Sequence, residues 1–144
     1  MKCAIIYSSR YGNGKKCVDV VNEQLKKKGH QVQVINAQEA DPKKIPEADL
    51  YIFSGASEAF GIAAGIKGYL KNLPSMEGKK FALMSTHRMK KAIALNKMDK
   101  LLTSKKKMAK VAAIDFRVEG EVEQGKGLPS DYKNSLREWV EKNL

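Results

Sequence analysis

Short apolar runs alternate along this chain with segments of helical periodicity. The first run, KCAIIY at 2–7, is apolar throughout after its lysine and reads as a buried strand. Val18, Val21 and Leu25 then recur at helical spacing, and KKKG at 26–29 supplies cations for a last turn and a glycine to stop it. QVQVI at 31–35 alternates polar with apolar, as a half-buried edge strand does. Residues 37–48 carry two prolines and predict a loop or a short helix at most.

The alternation continues to the end of the chain. DLYIFSG at 49–55 is a third strand, and Ile66, Tyr69, Leu70 and Leu73 mark a helix that Pro74 ends. KKFALMS at 79–85 is a fourth strand; Leu95, Met98, Leu101 and Leu102 form the apolar stripe of a lysine-rich helix. KVAAIDFRV at 110–118 is a fifth strand, GEVEQGKGLP at 120–129 a glycine-punctuated connection, and Tyr132, Leu136, Trp139 and Val140 make a closing amphipathic helix. Five strands, each followed by a helix or a stub of one, define βαβ units: an α/β protein with a parallel sheet covered by helices on both faces. One such domain over 1–144 is what this length holds. In such sheets ligands sit beyond the carboxyl ends of the strands where the winding reverses, which directs attention to residues 8–14, 55–62 and 86–91.

The first of these, within YSSRYGNGKK at 7–16, puts hydroxyls and glycines where a strand gives way to a helix. A Walker A loop fails, because Ser9 stands where its first glycine is needed and Lys16 replaces the magnesium-binding hydroxyl. A dinucleotide GxGxxG begins at Gly12 and Gly14 but ends at Cys17, and the second strand closes on Asn36 with no carboxylate for a ribose. A phosphoacceptor site fails too, since Ser8-Ser9 and Ser54-Gly55 stand where aspartates are required.

What remains is Ser9-Arg10-Tyr11-Gly12-Asn13-Gly14, which resembles the phosphate loop of the flavodoxin-like family, [ST]-x-[TY]-G-x-T. FSGASEAFGIAAG at 53–65 resembles that family's second flavin loop, and its FGxxAG pattern is similar to the NAD(P)H:quinone oxidoreductase branch. The resemblance runs over essentially the whole chain. It implies a three-layer fold with strand order 2-1-3-4-5 and FMN as cofactor. Ser9, Arg10, Tyr11, Gly12, Asn13, Gly14 and Lys15 would serve its phosphate. Ser57, Glu58, Ala59, Phe60 and Gly61 would border its ring, with Gly61-Ile62 as the peptide that reorients on reduction. Thr86 and His87 would complete the site from the third loop. No catalytic residue is assigned; His87 is a candidate proton donor set against the commoner role of a structural histidine. Two departures stand out. Gly14 replaces the family's last threonine, a loss of about 1 kcal/mol of hydrogen bonding. STHRMKK at 85–91 lacks the glycine- and aspartate-rich character of electron-transfer flavodoxins.

Composition changes the picture in one respect, charge. Twenty-seven basic residues against sixteen acidic give +11 and a pI near 9.6. Only four of the basic residues are arginine, which favours a solvated lysine surface over bidentate recognition of phosphate or bases. Nine cations and one anion fall between Arg88 and Lys110 without any helix-turn-helix, zinc or aromatic RNA motif, so sequence-specific nucleic-acid binding is not expected. The expected partner is an acidic redox protein or a small acceptor such as a quinone, with NAD(P)H as a candidate donor and self-association open. The alternative is a non-catalytic module that has lost FMN and uses the basic helix to bind an acidic protein or nucleic acid. Positive charge should also favour the anionic reduced flavin over what an acidic flavodoxin provides. Cys3 and Cys17 have no metal-ligand spacing and read as reduced packing residues. No run is long enough for a membrane span, and the apolar part of the N-terminus is too short for a signal peptide, so a cytoplasmic location is expected.

Overall fold

A computed structural model describes residues 1–144. β1 (Lys2–Tyr7), β2 (Gln31–Asn36), β3 (Leu50–Glu58), β5 (Lys80–His87) and β6 (Ala109–Arg117) form a parallel sheet in the order β2-β1-β3-β5-β6. This is the doubly wound order anticipated above, counted over the long strands. A two-residue strand, β4 (Gly61–Ile62), folds back antiparallel on the end of β3.

Side-chain alternation along the strands assigns the two faces. Ala4 and Ile6 of β1 pack with α2 (Ala64–Lys71) and α3 (Ile93–Lys100), through Ile66, Leu70, Ala94 and Met98. Cys3 and Ile5 pack with α1 (Asn13–Lys27) and α4 (Tyr132–Asn143), through Val18, Val21, Leu136 and Val140. Both faces of the central strands are therefore sealed, and Ile5, Ile6, Ile52, Phe53 and Leu83 are wholly buried. Each contributes on the order of 1.5–3 kcal/mol of transfer free energy. β2 at the edge is only half buried, as its alternation requires. Cys3 and Cys17 are buried and unbridged. No helix is long and apolar enough to cross a membrane.

Two local differences from the sequence pattern have physical causes. β3 continues to Glu58 and β5 to His87, because Gly55 and Ala56 find ladder partners in Ser85 and Thr86. Pairing across the sheet outweighs the weak strand propensity of these small residues. The lysine-rich helix is α-helical only to Lys100 and then opens into a π turn over Leu101–Lys105. There the Thr103 hydroxyl donates to the Asp99 carbonyl at 2.7 Å, and Lys107 takes a left-handed φ of 57°. Residues 37–48 hold short helices as expected: two single-turn 3-10 helices, opened by the Asn36 and Asp41 side chains accepting from Gln38 N and Lys43 N.

Part of the basic charge is structural. Lys106 Nζ donates to the Lys71 and Leu73 carbonyls at 3.0 and 2.9 Å, closing the end of α2. Lys97 Nζ donates to the Phe60 carbonyl at 2.9 Å, and Lys110 pairs with Asp99.

Candidate functional site

A cavity of about 320 Å³ opens at the carboxyl ends of β1, β3 and β5. Three of its walls are the loops singled out by the sequence. The fourth, Val118, Val122 and Glu123 on the connection from β6 to α4, was not anticipated.

The β1–α1 loop is shaped to hold an anion. Gly12 precedes α1 with φ 100°, a conformation that favours glycine, and so the helix has no side chain at its cap position. Ser9 Oγ reaches across instead and accepts from Lys15 N at 3.1 Å. The backbone N–H groups of residues 9 to 14 find no acceptor in the chain. Unpaired donors in succession at the positive end of a 15-residue helix are a site for a phosphate. Gly14 is not imposed by crowding, since a Cβ there would lie 3.5 Å from Ser9 Oγ in ordinary contact.

The fourth wall clamps this loop. Asn13 is buried, donates from Nδ2 to the Val122 carbonyl at 2.9 Å, and accepts at Oδ1 from Gly127 N at 3.0 Å. Lys16 Nζ donates to the Gly125 carbonyl. Gly125, at φ 72°, lies so close that a Cβ would sit 2.7 Å from the Tyr11 carbonyl oxygen. The side chain of Asn13 thus serves the protein, and its place beside a ligand is through its backbone. The sequence signal for this wall was the pair of glycines at 125 and 127, but nothing local told which loop they approach.

The remaining expected residues divide in two. Ser9, Arg10, Tyr11, Asn13, Gly14, Ser57, Glu58, Ala59, Thr86 and His87 all line the cavity. Gly12, Lys15, Phe60 and Gly61 do not. Gly12 shapes the turn, and Lys15 pairs with Asp19 over the face of the Tyr7 ring. Gly61 is laddered to Glu58 within β4, so the hairpin tip is Ala59-Phe60, with φ 43° and 67°. The expected Gly61–Ile62 peptide thus lies in the paired part of the hairpin, one step beyond its tip. Phe60 stands 68% exposed at this tip. Ser57 Oγ accepts from Ala94 N at 2.9 Å, so it also steadies the start of α3. Gly65 of the FGxxAG pattern serves packing, because a Cβ there would meet Ser8 Cβ at 2.9 Å.

The floor is apolar, with Met84, Ile114 and Phe116 beside the Cys17 thiol, which burial pushes up to about 12. Phe116 of β6 is an aromatic wall that the sequence reading did not assign. Arg88 donates to Glu123 at 2.8 Å, joining the third loop to the fourth wall. Hydrogen bonding from its own backbone and then this guanidinium hold the Glu123 carboxyl below the usual range. His87 and Thr86 are buried, and His87 Nδ1 lies 2.5 Å from Asp115 Oδ2.

A doubly wound sheet with an amide-lined anion pocket on its first loop and an apolar slot beside it is an architecture suited to holding a mononucleotide. The family described as "Flavodoxin domain" matches residues 4–123, and the chain belongs to it. Solved structures agree on the fold. Flavodoxin 1 of Bacillus cereus superposes with TM-score 0.81 at 13% identity, over 99% of this chain and 96% of that one. The flavodoxin of Streptococcus pneumoniae TIGR4 gives 0.75 at 18%, over 98% and 96%. Rubredoxin oxygen:oxidoreductase of Desulfovibrio gigas gives 0.78 at 16%, over 97% of this chain but 34% of that one. No curated protein matches the sequence. Family membership implies a flavin cofactor and electron transfer in general terms.

Proposed function

We propose that the protein binds FMN, with the phosphate on residues 9–14, and carries electrons for a redox partner. The observation behind this reading is the row of unpaired N–H groups at the start of α1, which fits a phosphate monoester without demanding cationic side chains. When bound, FMN supplies one- and two-electron chemistry of its own. The chain supplies placement. The amides of 9–14 hold the phosphate, the Met84–Ile114–Phe116 floor excludes water, and the Arg88–Glu123 pair closes one side.

Tyr11, Phe60 and Met89 are exposed apolar residues on the loops that border the cavity, and Lys90 and Lys91 stand beside them in sequence with no ion-pair partner. An apolar rim flanked by cations suits an acidic redox protein, whose approach the charge would steer. Reduction of a small acceptor such as a quinone, with NAD(P)H as donor, is the finer alternative; NAD(P)H oxidation in the presence of a quinone tests it.

The first experiment is a titration with FMN followed by quenching of flavin fluorescence. Saturable one-to-one binding, weakened by Gly12→Asp, is expected. Absence of quenching at high micromolar FMN refutes the reading and turns attention to a cofactor-free module acting through its basic surface.

A further inference from the structure

We infer that Asp115 and Ser85 are positioning residues that orient His87 so that its Nε2 contacts the ring of a bound flavin; this rests on the FMN reading above. The sheet builds the arrangement. Ser85 and His87 are two residues apart on β5 and so share a face, and Asp115 of β6 is the register partner of Ser85. The Ser85 hydroxyl donates to Asp115 Oδ1, and the other oxygen of the same carboxylate faces His87 Nδ1.

Nothing else competes for Asp115. Its side chain is 14% exposed, and its only charged neighbour within ion-pair distance is His87. Arg117, the register partner of His87, turns away to the Arg88 carbonyl at 3.3 Å and to Glu119. Arg88 is held by Glu123, and Lys110 by Asp99. A carboxylate only accepts, so a hydrogen bond across this contact would put the imidazole proton on Nδ1. Nε2 bonds nothing in the chain, is not sealed from solvent, and belongs to a side chain that lines the cavity. The Nδ1 contact is close but bent from the line of a good hydrogen bond, and site hydrogen bonds commonly tighten when a ligand binds. Ser85 donates to the carboxylate and not to the imidazole, so the trio is not an activated nucleophile.

The test has two arms. In the first, flavin affinities are measured for wild type, His87→Ala, Asp115→Asn and the double variant, with both FMN and riboflavin. Loss of one hydrogen bond at the ring weakens both ligands by about tenfold in each single variant. The double variant falls no further than His87→Ala, because Asp115 acts only through the histidine. Additive losses, or a loss confined to FMN, overturn the inference. In the second arm, imidazole ¹⁵N spectra of the ligand-free protein are recorded, after thermal melts confirm that each variant is folded. The Nδ1–H tautomer is expected in wild type and its loss in Asp115→Asn; an unchanged tautomer overturns the positioning role. A wild type that binds neither flavin overturns the ring contact together with the FMN reading, and the tautomer arm then decides the orientation alone.

Discussion

Replacing Asn13 by alanine separates a structural clamp from a cofactor ligand. The side chain is 5% exposed and makes two hydrogen bonds to groups 109 and 114 residues away. Alanine leaves the Gly127 N–H without a partner in a buried place, whereas the Val122 carbonyl keeps the Gly125 N–H at 3.1 Å. An orphaned buried donor costs roughly 1–3 kcal/mol. In a chain of this size 1 kcal/mol moves the melting midpoint by roughly 2–4 °C, and the variant should melt about 2–12 °C lower. The assay is urea unfolding of the FMN-free protein, followed by the fluorescence of Trp139, the single tryptophan. A residue whose amide served only a ligand would leave apo stability untouched. A loss below about 0.5 kcal/mol, within the range of ordinary surface changes, would therefore sink the clamp.

Other consequences follow from the same geometry. Gly29 and Gly125 both have left-handed φ, but only Gly125 faces backbone, so Gly29→Ala should cost about 1 kcal/mol and Gly125→Ala distinctly more. The second variant should also weaken FMN, because its Cβ displaces Tyr11; equal losses in the two would refute this. The Cys17 thiol should resist iodoacetamide in the native protein and react only on unfolding, despite lining the cavity. Its folded value lies above the unfolded one of about 8.5, so its contribution to stability is complete below that pH and fades as pH rises toward 12. Urea midpoints at pH 7 and 10, compared with those of Cys17→Ala, check the sign. Phe60→Gly should stabilise the apo protein by about 1 kcal/mol, since it relieves a positive φ and gives up little burial. If the ring covers a flavin, the same variant weakens FMN; a loss of apo stability would show instead that the exposed ring is packed.

Most of the fold was legible because local signals agree with tertiary ones. Val18, Val21 and Leu25 carry helical spacing and also face β1, and QVQVI alternates because β2 is an edge. The phosphate loop was legible for a similar reason: hydroxyls and glycines at a strand–helix junction have few packing uses. What escaped was contact between distant segments. Asp115 reads as one polar residue in a strand until the register sets it beside Ser85. Asn13 looks like a member of the loop motif until Val122 and Gly127 arrive from the far end of the chain. Phe60 sits in the expected motif, yet the ladder between Glu58 and Gly61 places it at the tip and turns it outward.

The departures from the family pattern fall on side chains, whereas the features that fit a phosphate are backbone. Gly14 gives up a hydroxyl worth about 1 kcal/mol, and Lys15, the nearby cation, is bound to Asp19 instead of offsetting it. The N–H row of 9–14 is unaffected by either change. Its donors are held ready by Asn13, by Lys16 on Gly125, and by the close approach of Gly125 to Tyr11. A loop fixed before the ligand arrives avoids an ordering cost of about 0.5–1.5 kcal/mol per side chain, the same magnitude as the lost hydroxyl. The wall from β6 to α4 can therefore offset Gly14 without touching the phosphate. Restoring threonine at 14 should then tighten FMN, while loosening the wall through Asn13→Ala should weaken it even with that threonine present.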